Sequence, residues 1–420
     1  MLGKKPQSRL ITGLDIGSTA IRLVVGKQQM GVNNRSDLQI VGLVEVPSEG
    51  VHKGVVTSIE EAVSSISSGL EKIERLIGIP VEHAWVGISG PHIRSQESKG
   101  VVAVAKPDGE IGHEDMERAI EASRAIATPL NYEVLHVIPR RYAVDGQTGI
   151  KDPAGMTGIR LEVDTQIIQG SSSHINNQTR SIYRTGIDID DLVLGILAVG
   201  EAVVTPRQKE LGVGVVNIGG STTSLVVYEE GEIIQVAVLP LGSEHVTNDL
   251  AIGLKSPIEV AERVKIEFGD CVTTGLSRKE KIDLLSVGAG TSEEVEKKYI
   301  AEIVGARLEE ILEKIDQELG KVGRRRLLPA GMVYTGGGAK ISGLVELSKE
   351  VLGLPASLGY PLGLQGMSDR VSDLSFTTAV GLVKWGGQIQ PDGRHGHGSS
   401  FKGMERASRQ VRQWFKSLVP

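Results

Sequence analysis

The chain has 420 residues, of which 40% are hydrophobic and 23% charged, ordinary values for a globular protein of about two to four domains. The net charge of −6 provides no overall basic field, which argues against nucleic acid as a partner, and the single cysteine excludes an internal disulfide framework. No apolar run reaches about 18 residues and the N-terminus lacks the apolar core of a signal peptide, so we expect no membrane-spanning segment.

The first part of the chain predicts three strands, a helix and a strand. Apolar runs at residues 10–16, 21–26 and 39–46 predict the strands, and residues 83–89 predict the fourth. Residues 57–77 have the apolar spacing of a helix. Thr57 is expected to cap it, Glu60 to complete a capping box, and Gly78 with Pro80 to end it.

Residues 87–168 differ in pattern from their surroundings. They contain predicted strands at residues 100–105, 134–142 and 157–163 and one clear helix at residues 113–127. This mixture predicts a small inserted α/β domain.

The opening order of elements recurs after residue 211. Strands are predicted at residues 212–218, 224–228 and 232–240, and a helix starts near Ser243. The amino-acid sequence is also similar in the two places. GLDIGSTAIRLVV at residues 13–25 aligns without a gap with VVNIGGSTTSLVV at residues 215–227, an offset of 202 residues (215 minus 13). A repeated hairpin in two layered α/β units predicts a bilobed protein with a ligand cleft between its halves.

The turns of the two hairpins have the composition of a phosphate site. Glycine lets the backbone approach a ligand closely, and turn amides and hydroxyls donate to phosphate oxygens. If the ligand is ATP, Asp15 lies near the phosphate-bound Mg²⁺, in direct contact or through water. The residues expected to hold phosphate are Gly17, Ser18, Thr19, Gly219, Gly220, Ser221, Thr222 and Thr223. The alternative is a pair of ordinary β-hairpins with glycine turns.

A third glycine-rich element, TGGGAKISGL at residues 335–344, lies between a predicted strand (331–334) and a predicted helix (342–352). Gly336, Gly337 and Gly338 would let the backbone lie flat against a purine or ribose, with Lys340 at the end of the motif.

Residues 256–270 predict a further helix, capped by Ser256 and with Pro257 at its first position. Glu262 and Lys265 lie three residues apart on one face and are candidates for gripping ribose hydroxyls. The alternative for this pair is a surface ion pair.

Together these motifs resemble the actin/hexokinase/DnaK superfamily. Further segments resemble the FtsA family of bacterial cell division proteins more specifically: AWVGISGPHI (84–93), VLHVIPRRYAVDG (134–146), KDPAGMTGIRLEV (151–163), HVTNDLAIGLKSPIEVAERVK (245–265) and TTAVGLVKWG (377–386). The resemblance implies an α/β, actin/hexokinase-like bilobed fold with an inserted small α/β domain and a C-terminal amphipathic helix.

The resemblance also implies a division into domains. The first lobe core (1A-like) covers residues 8–86, 169–208 and 368–386, and the inserted domain (1C/SHS2-like) covers 87–168. The second lobe core (2A-like) covers 209–248 and 330–367, with a helical lid subdomain (2B-like) at 249–329. Residues 387–402 predict a flexible linker and residues 403–420 an amphipathic membrane-targeting helix.

The second hairpin departs from the family pattern D-I-G-G-G-T-T-D. Asn217 stands where the family has the first Asp, and Ser224 stands in place of the second. Asn217 makes hydrogen bonds but adds no negative charge to hold Mg²⁺ or polarise water, and phosphoryl transfer relies on metal and positioned charge. We therefore expect that ATP is bound and that the protein is at most a weak ATPase.

The last twenty residues form the second strong signal. On a helix, an apolar face with Met404, Val411, Trp414, Phe415 and Leu418 opposes basic residues that include Arg409, Arg412 and Lys416. A basic face opposite a tryptophan-bearing apolar face is typical of a helix that lies in a membrane interface with anionic lipids. The alternative is a C-terminal helix packed on its own core.

The helix predicted at residues 296–319 resembles the lid segment that, in this family, receives the C-terminal peptide of the tubulin-like protein FtsZ. Arg307 is the candidate anchor for that acidic peptide, with Lys297 and Lys298 behind it; the alternative is a solvated surface charge.

The resemblance implies a function in binding and assembly. The protein is expected to bind ATP and Mg²⁺, to polymerise, to tether FtsZ filaments to the cytoplasmic face of the plasma membrane at the septum as a peripheral protein, and to recruit later division proteins. One alternative is an actin-like adaptor of a pilus or secretion machine. The other is a superfamily ATPase or kinase, which predicts a catalytic carboxylate on the second hairpin.

Overall fold

The computed structural model describes residues 9–30, 36–125, 129–277, 279–366 and 368–388. These residues fall into two compact units. The larger unit holds the described residues up to Pro91 and Gln178–Lys384, and the inserted unit holds His92–Asn177 with the described residues from Trp385 onward.

Each strand predicted from the sequence overlaps a strand of the structure, although many bounds differ. In chain order they are β1 (Arg9–Ile16), β2 (Ala20–Met30), β3 (Ser36–Pro47), β4 (Val51–His52), β5 (Val55–Val56), β6 (His83–Ile88), β7 (Arg94–Ala103), β8 (Tyr132–Val144), β9 (Gln147–Ile150), β10 (Arg160–Ser171), β11 (Asp188–Leu194), β12 (Val213–Ile218), β13 (Thr223–Glu229), β14 (Glu232–Leu239), β15 (Lys281–Asp283), β16 (Glu294–Glu296), β17 (Met332–Thr335), β18 (Ala356–Leu358) and β19 (Gln365–Gly366).

The helices lie between these strands, and three short 3₁₀ turns accompany them. In chain order the helices are α1 (Ile59–Ile77), α2 (His113–Arg124), α3 (Ser172–Tyr183), α4 (Gly195–Val203), α5 (Pro206–Leu211), α6 (Ser243–Leu254), α7 (Ile258–Phe268), α8 (Lys297–Lys321), α9 (Leu344–Leu352), α10 (Ser368–Val371) and α11 (Thr377–Gln388). The 3₁₀ turns are Leu284–Val287, Gly337–Lys340 and Leu374–Phe376. Of the described helices, none is long and apolar enough to cross a membrane.

The larger unit contains two sheets with the same internal order. The first runs β11-β6-β1-β2-β3-β19 and the second β14-β13-β12-β17-β18. In both, a central strand pairs antiparallel with the next strand in the chain and parallel with a later one. The registers match at the offset of 202 residues: Asp15 lies opposite Arg22 and Gly87, and Asn217 lies opposite Ser224 and Thr335. The predicted duplication of the hairpin is therefore confirmed.

Both sheets are covered by helices: α11 packs on β1 at Gly13, and the opposite face of each sheet carries a large apolar cluster. Leu14, Leu23 and Ile66 belong to a cluster that joins β1, β2 and α1. A larger cluster joins the second sheet to α6, α7, α8 and α9, where every third or fourth residue of α8 from Ile300 to Leu319 is buried. This spacing produces an apolar stripe along one side of α8, so the helix packs against the core along most of its length.

Two predicted helix starts are wrong by one or two residues. Ser58, not Thr57, caps α1, because the N–H groups of Thr57 and Ser58 both donate to Gly50 O (2.8 and 3.1 Å) and hold the chain out of the helix until that point. The Ser58 hydroxyl accepts from Glu61 N, so Glu61 rather than Glu60 is the third helical residue. The left-handed Gly78 ends the helix as predicted.

Helix α7 starts after the predicted position. Pro257 is its N-cap residue rather than its first helical residue, and the Pro257 carbonyl accepts from the N–H groups of Val260 and Ala261. Ser256 lies outside the helix, and its hydroxyl is buried without a hydrogen-bond partner. The predicted Ser256 cap is therefore wrong.

The inserted unit is a four-stranded sheet, in the order β7-β10-β8-β9, packed on helix α2. Ile120, Leu161 and Val163 belong to its core. Strand and helix pack so closely that a Cβ added at Gly100 would lie 1.8 Å from Ala119 O. The predicted strands are present and longer than expected, whereas α2 ends at Arg124 rather than at the predicted residue 127.

Candidate functional site

The turns of the two equivalent hairpins line one cavity in the larger unit. The lining combines residues of both hairpins with the ends of β6 and β17, the starts of α4 and α11, the β4–β5 turn and the 3₁₀ turn before α11. These residues are Asp15, Ile16, Gly17, Ser18, Thr19, Arg22, Gly54, Gly87, Ile88, Ser89, Gly195, Ile196, Asn217, Gly219, Gly220, Ser221, Thr222, Ser224, Gly336, Gly337, Ser375 and Thr378. The turns also touch, since a Cβ at Gly220 would lie 2.6 Å from Thr19 Cγ2. Two turns that are far apart in sequence thus contact each other and line a single polar cavity.

Each turn is closed by the same backbone hydrogen bond. Gly17 N donates to Ala20 O at 3.1 Å, and Gly219 N donates to Thr222 O at 2.8 Å. A Cβ at Gly17 or Gly219 would lie 2.8 or 3.0 Å from that same carbonyl oxygen. Glycine is therefore needed at both positions, because a larger residue would open the turn.

The first turn is held by a neighbouring backbone amide. Gly54 N donates to Ser18 Oγ at 2.9 Å. Because this bond uses the oxygen as acceptor, the Ser18 hydroxyl hydrogen remains free to donate.

The second turn is held by the start of α6. Ser243 N donates to Gly219 O at 2.9 Å and Glu244 N donates to Gly220 O at 2.8 Å. The Ser221 hydroxyl in turn donates to Glu244 Oε2. A Cβ at Gly242 would lie 2.3 Å from Gly220 O, so turn and helix are in van der Waals contact.

Asp15 is the carboxylate of the cavity lining. Burial raises its pKa to about 6, and the nearby positive charge of Arg22 opposes that rise. The Arg22 guanidinium donates to Glu45 Oε2 at 2.6 Å. A buried carboxylate among hydroxyls and an amide oxygen is a set of oxygen donors that suits Mg²⁺, which prefers such ligands and retains water.

Asn217 occupies the position equivalent to Asp15. Its Nδ2 donates to Thr378 Oγ1 at 3.3 Å, and a Cβ at Gly336 would lie 2.2 Å from its Oδ1. The amide is thus fixed between α11 and the third glycine motif. Within the described residues, no three His, Cys, Asp or Glu side chains cluster as a metal site.

The third motif only partly faces the cavity. Gly336, at φ 89°, and Gly337 line it, whereas Gly338 packs against Ile218. Lys340 Nζ lies 2.5 Å from Asp373 Oδ1 and is not part of the lining. Thr223 also lies outside the lining, as a fully buried residue of β13.

Glu262 and Lys265 meet each other on α7 rather than at the cavity wall. Lys265 Nζ donates to Glu262 Oε2 at 2.6 Å and to Thr247 Oγ1 at 2.8 Å. Lys265 is only 9% exposed, so an ordinary surface ion pair does not describe this contact. Their contact with a ribose stays a prediction.

Several polar residues of the site were not predicted from the sequence. Arg22, Ser89, Ser375 and Thr378 line the cavity from β2, the end of β6, the 3₁₀ turn Leu374–Phe376 and the start of α11, respectively. Ser89 had a usable signal, because it is the last residue of the strand predicted at residues 83–89, and the carboxyl ends of adjacent parallel strands such as β1 and β6 meet at one edge of a sheet. Glu244, which bonds to Ser221, had no signal in the sequence that would have predicted its place at the site.

Arg307 is already paired in this structure. Its Nε and Nη2 donate to the two carboxylate oxygens of Asp249 at 2.6 and 2.9 Å, and its Nη1 contacts Glu310. These hydrogen bonds raise the pKa of the guanidinium. An acidic peptide would have to compete with Asp249, so its role as an anchor stays a prediction. The predicted membrane residues from Met404 to Leu418 lie outside the described residues.

Comparisons with known proteins agree on one family. A family model for the cell division protein FtsA matches residues 214–381, and a model for the SHS2 domain inserted in FtsA matches residues 90–169. The cell division protein FtsA of Pseudomonas aeruginosa is 37% identical over 385 residues, which cover 92% of this chain and 91% of that protein. Its counterpart in Bacillus subtilis is 36% identical over 378 residues, covering 90% and 83%.

Solved structures show the fold. A PilM–PilN type IV pilus biogenesis complex matches with a TM-score of 0.65 and 18% identity, covering 91% of this chain and 99% of that one. MreB5 of Spiroplasma citri bound to ADP matches with a TM-score of 0.53 and 13% identity, covering 91% and 97%. The predicted actin-like α/β fold with an inserted domain is confirmed.

Proposed function

The chain belongs to the FtsA family of cell division proteins, and on that premise we propose that it binds ATP with its phosphates held between the two hairpins. The observation that carries this proposal is the convergence of two equivalent glycine turns on one cavity. Backbone amides and hydroxyls converging from two sides can bind a polyphosphate without a large positive charge. Gly336 and Gly337 extend the lining towards the base and ribose.

Mg²⁺ fits this arrangement. Asp15, in direct contact or through water, would hold the ion, which when bound neutralises phosphate charge. Arg22 adds a positive group on the same wall. Asp15 is the carboxylate that the described residues contribute to the lining, because Asn217 and Ser224 stand at the two other acidic positions of the family pattern. Weak or absent hydrolysis follows, and nucleotide then acts by setting the state of the protein.

The cellular role we propose is that of a membrane tether. The protein polymerises, receives the acidic C-terminal peptide of FtsZ on the α8 lid and is held by residues 403–420 at anionic lipids on the cytoplasmic face of the septal membrane. The inserted unit is proposed to serve filament contacts and the recruitment of later division proteins.

A reconstitution on vesicles tests this role. Full-length protein, fluorescent FtsZ and vesicles with an anionic lipid fraction are mixed with ATP and Mg²⁺, and the vesicles are then separated by flotation through a density gradient. We expect FtsZ to float with the vesicles only when this protein is present. A chain truncated after residue 402 should remain folded and bind FtsZ but leave it in solution.

The control is Trp414→Ala with Phe415→Ala, which keeps every basic residue of the tail and removes two large apolar side chains. We expect vesicle binding to fall about tenfold or more, since each aromatic contributes roughly 1–2 kcal/mol of apolar burial. Equal flotation of FtsZ with the full-length and the truncated chain would overturn the tethering role.

A further inference from the structure

One serine hydroxyl on each hairpin has a defined hydrogen-bond role, and the two roles are opposite. Ser18 Oγ accepts a hydrogen bond from Gly54 N at 2.9 Å, which leaves its hydrogen available. Ser221 Oγ bonds to Glu244 Oε2, and because a carboxylate only accepts, the serine must donate. The first hydroxyl is therefore a donor towards the cavity, and the second offers only lone pairs.

Glu244 is built into the second turn. Its own backbone N–H donates to Gly220 O at 2.8 Å, so carboxylate and turn are held by the same residue. Ser221 is 2% exposed and lines the cavity, whereas Glu244 does not line it. The carboxylate is therefore bonded through Oε2 to one lining residue, Ser221, and its Oε1 lies 3.1 Å from the position of a Cβ at a second lining residue, Gly220.

We propose that Glu244 is a positioning residue that makes the Ser221 hydroxyl the cation-facing group of the second hairpin. By holding the Ser221 hydrogen, it turns the lone pairs of that oxygen towards the ligand. A phosphate oxygen facing those lone pairs is repelled unless a cation lies between them, whereas Ser18 donates to a phosphate oxygen directly. Glu244 also places a negative charge behind the hairpin in which Asn217 and Ser224 supply none.

This inference rests on the proposed nucleotide site and adds a selectivity to it. The site should accept nucleotide with its cation and reject metal-free polyphosphate. The quantity that reports this is the ratio of two dissociation constants for one non-hydrolysable ATP analogue, measured by calorimetry in Mg²⁺ and in EDTA. The measurement needs no turnover.

Two variants separate the charge from the hydroxyl. Glu244→Gln removes the charge, so metal-free analogue should bind about fivefold more tightly and the preference for the Mg²⁺ form should fall. Ser221→Ala removes the lone pairs, so the Mg²⁺ form should bind about threefold more weakly with little change in EDTA. Glu244→Asp keeps the charge and should retain most of the preference.

Ser18→Ala is the matched control on the first hairpin. Its loss should weaken both forms of the analogue alike and leave the ratio unchanged. Melting temperatures establish which variants are folded. If Glu244→Gln does not fold, the ratio measured for Ser221→Ala is the test. A ratio unchanged in Ser221→Ala and Glu244→Gln, with normal binding by the wild type, overturns this inference and leaves the proposed function standing. Absence of any nucleotide binding by the wild type overturns both.

Discussion

At the scale of single residues, two histidines of the inserted unit are kept from charging. Burial lowers the pKa of His136 to about 4. Burial, and then the neighbouring His174, lower the pKa of His92 to about 4, and the two rings lie 4.9 Å apart. The folded state thus binds fewer protons than the unfolded chain, whose histidines titrate near 6.5, so stability is present above that value and is lost as the pH falls towards 4.

We predict that His136→Gln reduces this acid sensitivity. His136 is 6% exposed, and its suppressed protonation should cost the wild type about 2 kcal/mol of unfolding free energy at pH 5 relative to pH 8. Urea unfolding at the two pH values measures the difference. An equally large difference in the variant would show that other groups cause the acid sensitivity.

The residues of the site that follow from sequence are those on the repeated turns. Gly17 and Gly219 repeat at one offset, and each turn closes through the same bond. Arg22 and Thr378 could not be predicted, because they reach the cavity only through strand pairing and the docking of α11. Glu244 depends on one helix start meeting one turn, a contact that no local pattern encodes.

At the scale of elements, α6 connects the second hairpin to the helices that follow it. Its first turn bonds to Gly219 and Gly220, Thr247 bonds to Glu262 and Lys265 of α7, and Asp249 bonds to Arg307 of α8. A shift of the second hairpin turn on phosphate binding would therefore move the start of α6 first, because α6 is bonded directly to that turn. The Asp249–Arg307 pair is the place where this chain of contacts ends on the lid.

On the proposed role of α8, we predict that Asp249→Asn strengthens binding of the acidic C-terminal FtsZ peptide by about threefold, because it removes the charged partner of Arg307 Nε and Nη2 while Glu310 stays on Nη1. Arg307→Ala should weaken the same binding by at least about fivefold. Loss of this partly exposed bidentate pair should cost about 1 kcal/mol of stability in either variant. Fluorescence anisotropy of a labelled peptide measures both affinities. Unchanged binding in Arg307→Ala would show that the arginine serves only to join α8 to α6.

The ends of elements were the least predictable features at this scale. The strands of the two hairpins and the helices α1, α2 and α8 were predictable because apolar periodicity is local, whereas α3, β11 and α4 were not predicted. The start of α1 depends on Gly50, eight residues before the helix cap, and the start of α7 depends on which residue first offers a helical carbonyl. Such contacts decide a boundary without leaving a pattern in the helix itself.

At the scale of the whole molecule, duplication explains most of what the sequence could predict. Two sheets with one strand order and one register follow from two hairpins that align without a gap. The inserted unit interrupts the first copy after β6, and its sheet could be predicted because its strands are long and alternate. The two copies differ at the position of the proposed site where Asp15 of the first corresponds to Asn217 of the second, and the proposed weak hydrolysis rests on that difference.

The most direct test of the account is ATP binding and phosphate release by the purified protein, with Asn217→Asp measured alongside. We predict tight ATP binding with negligible release by the wild type. Asn217→Asp should raise release by about tenfold or more, because a carboxylate at this position adds charge that can hold the cation and orient water. Rapid release by the wild type would contradict the account, because another group would then supply the charge that the second hairpin lacks.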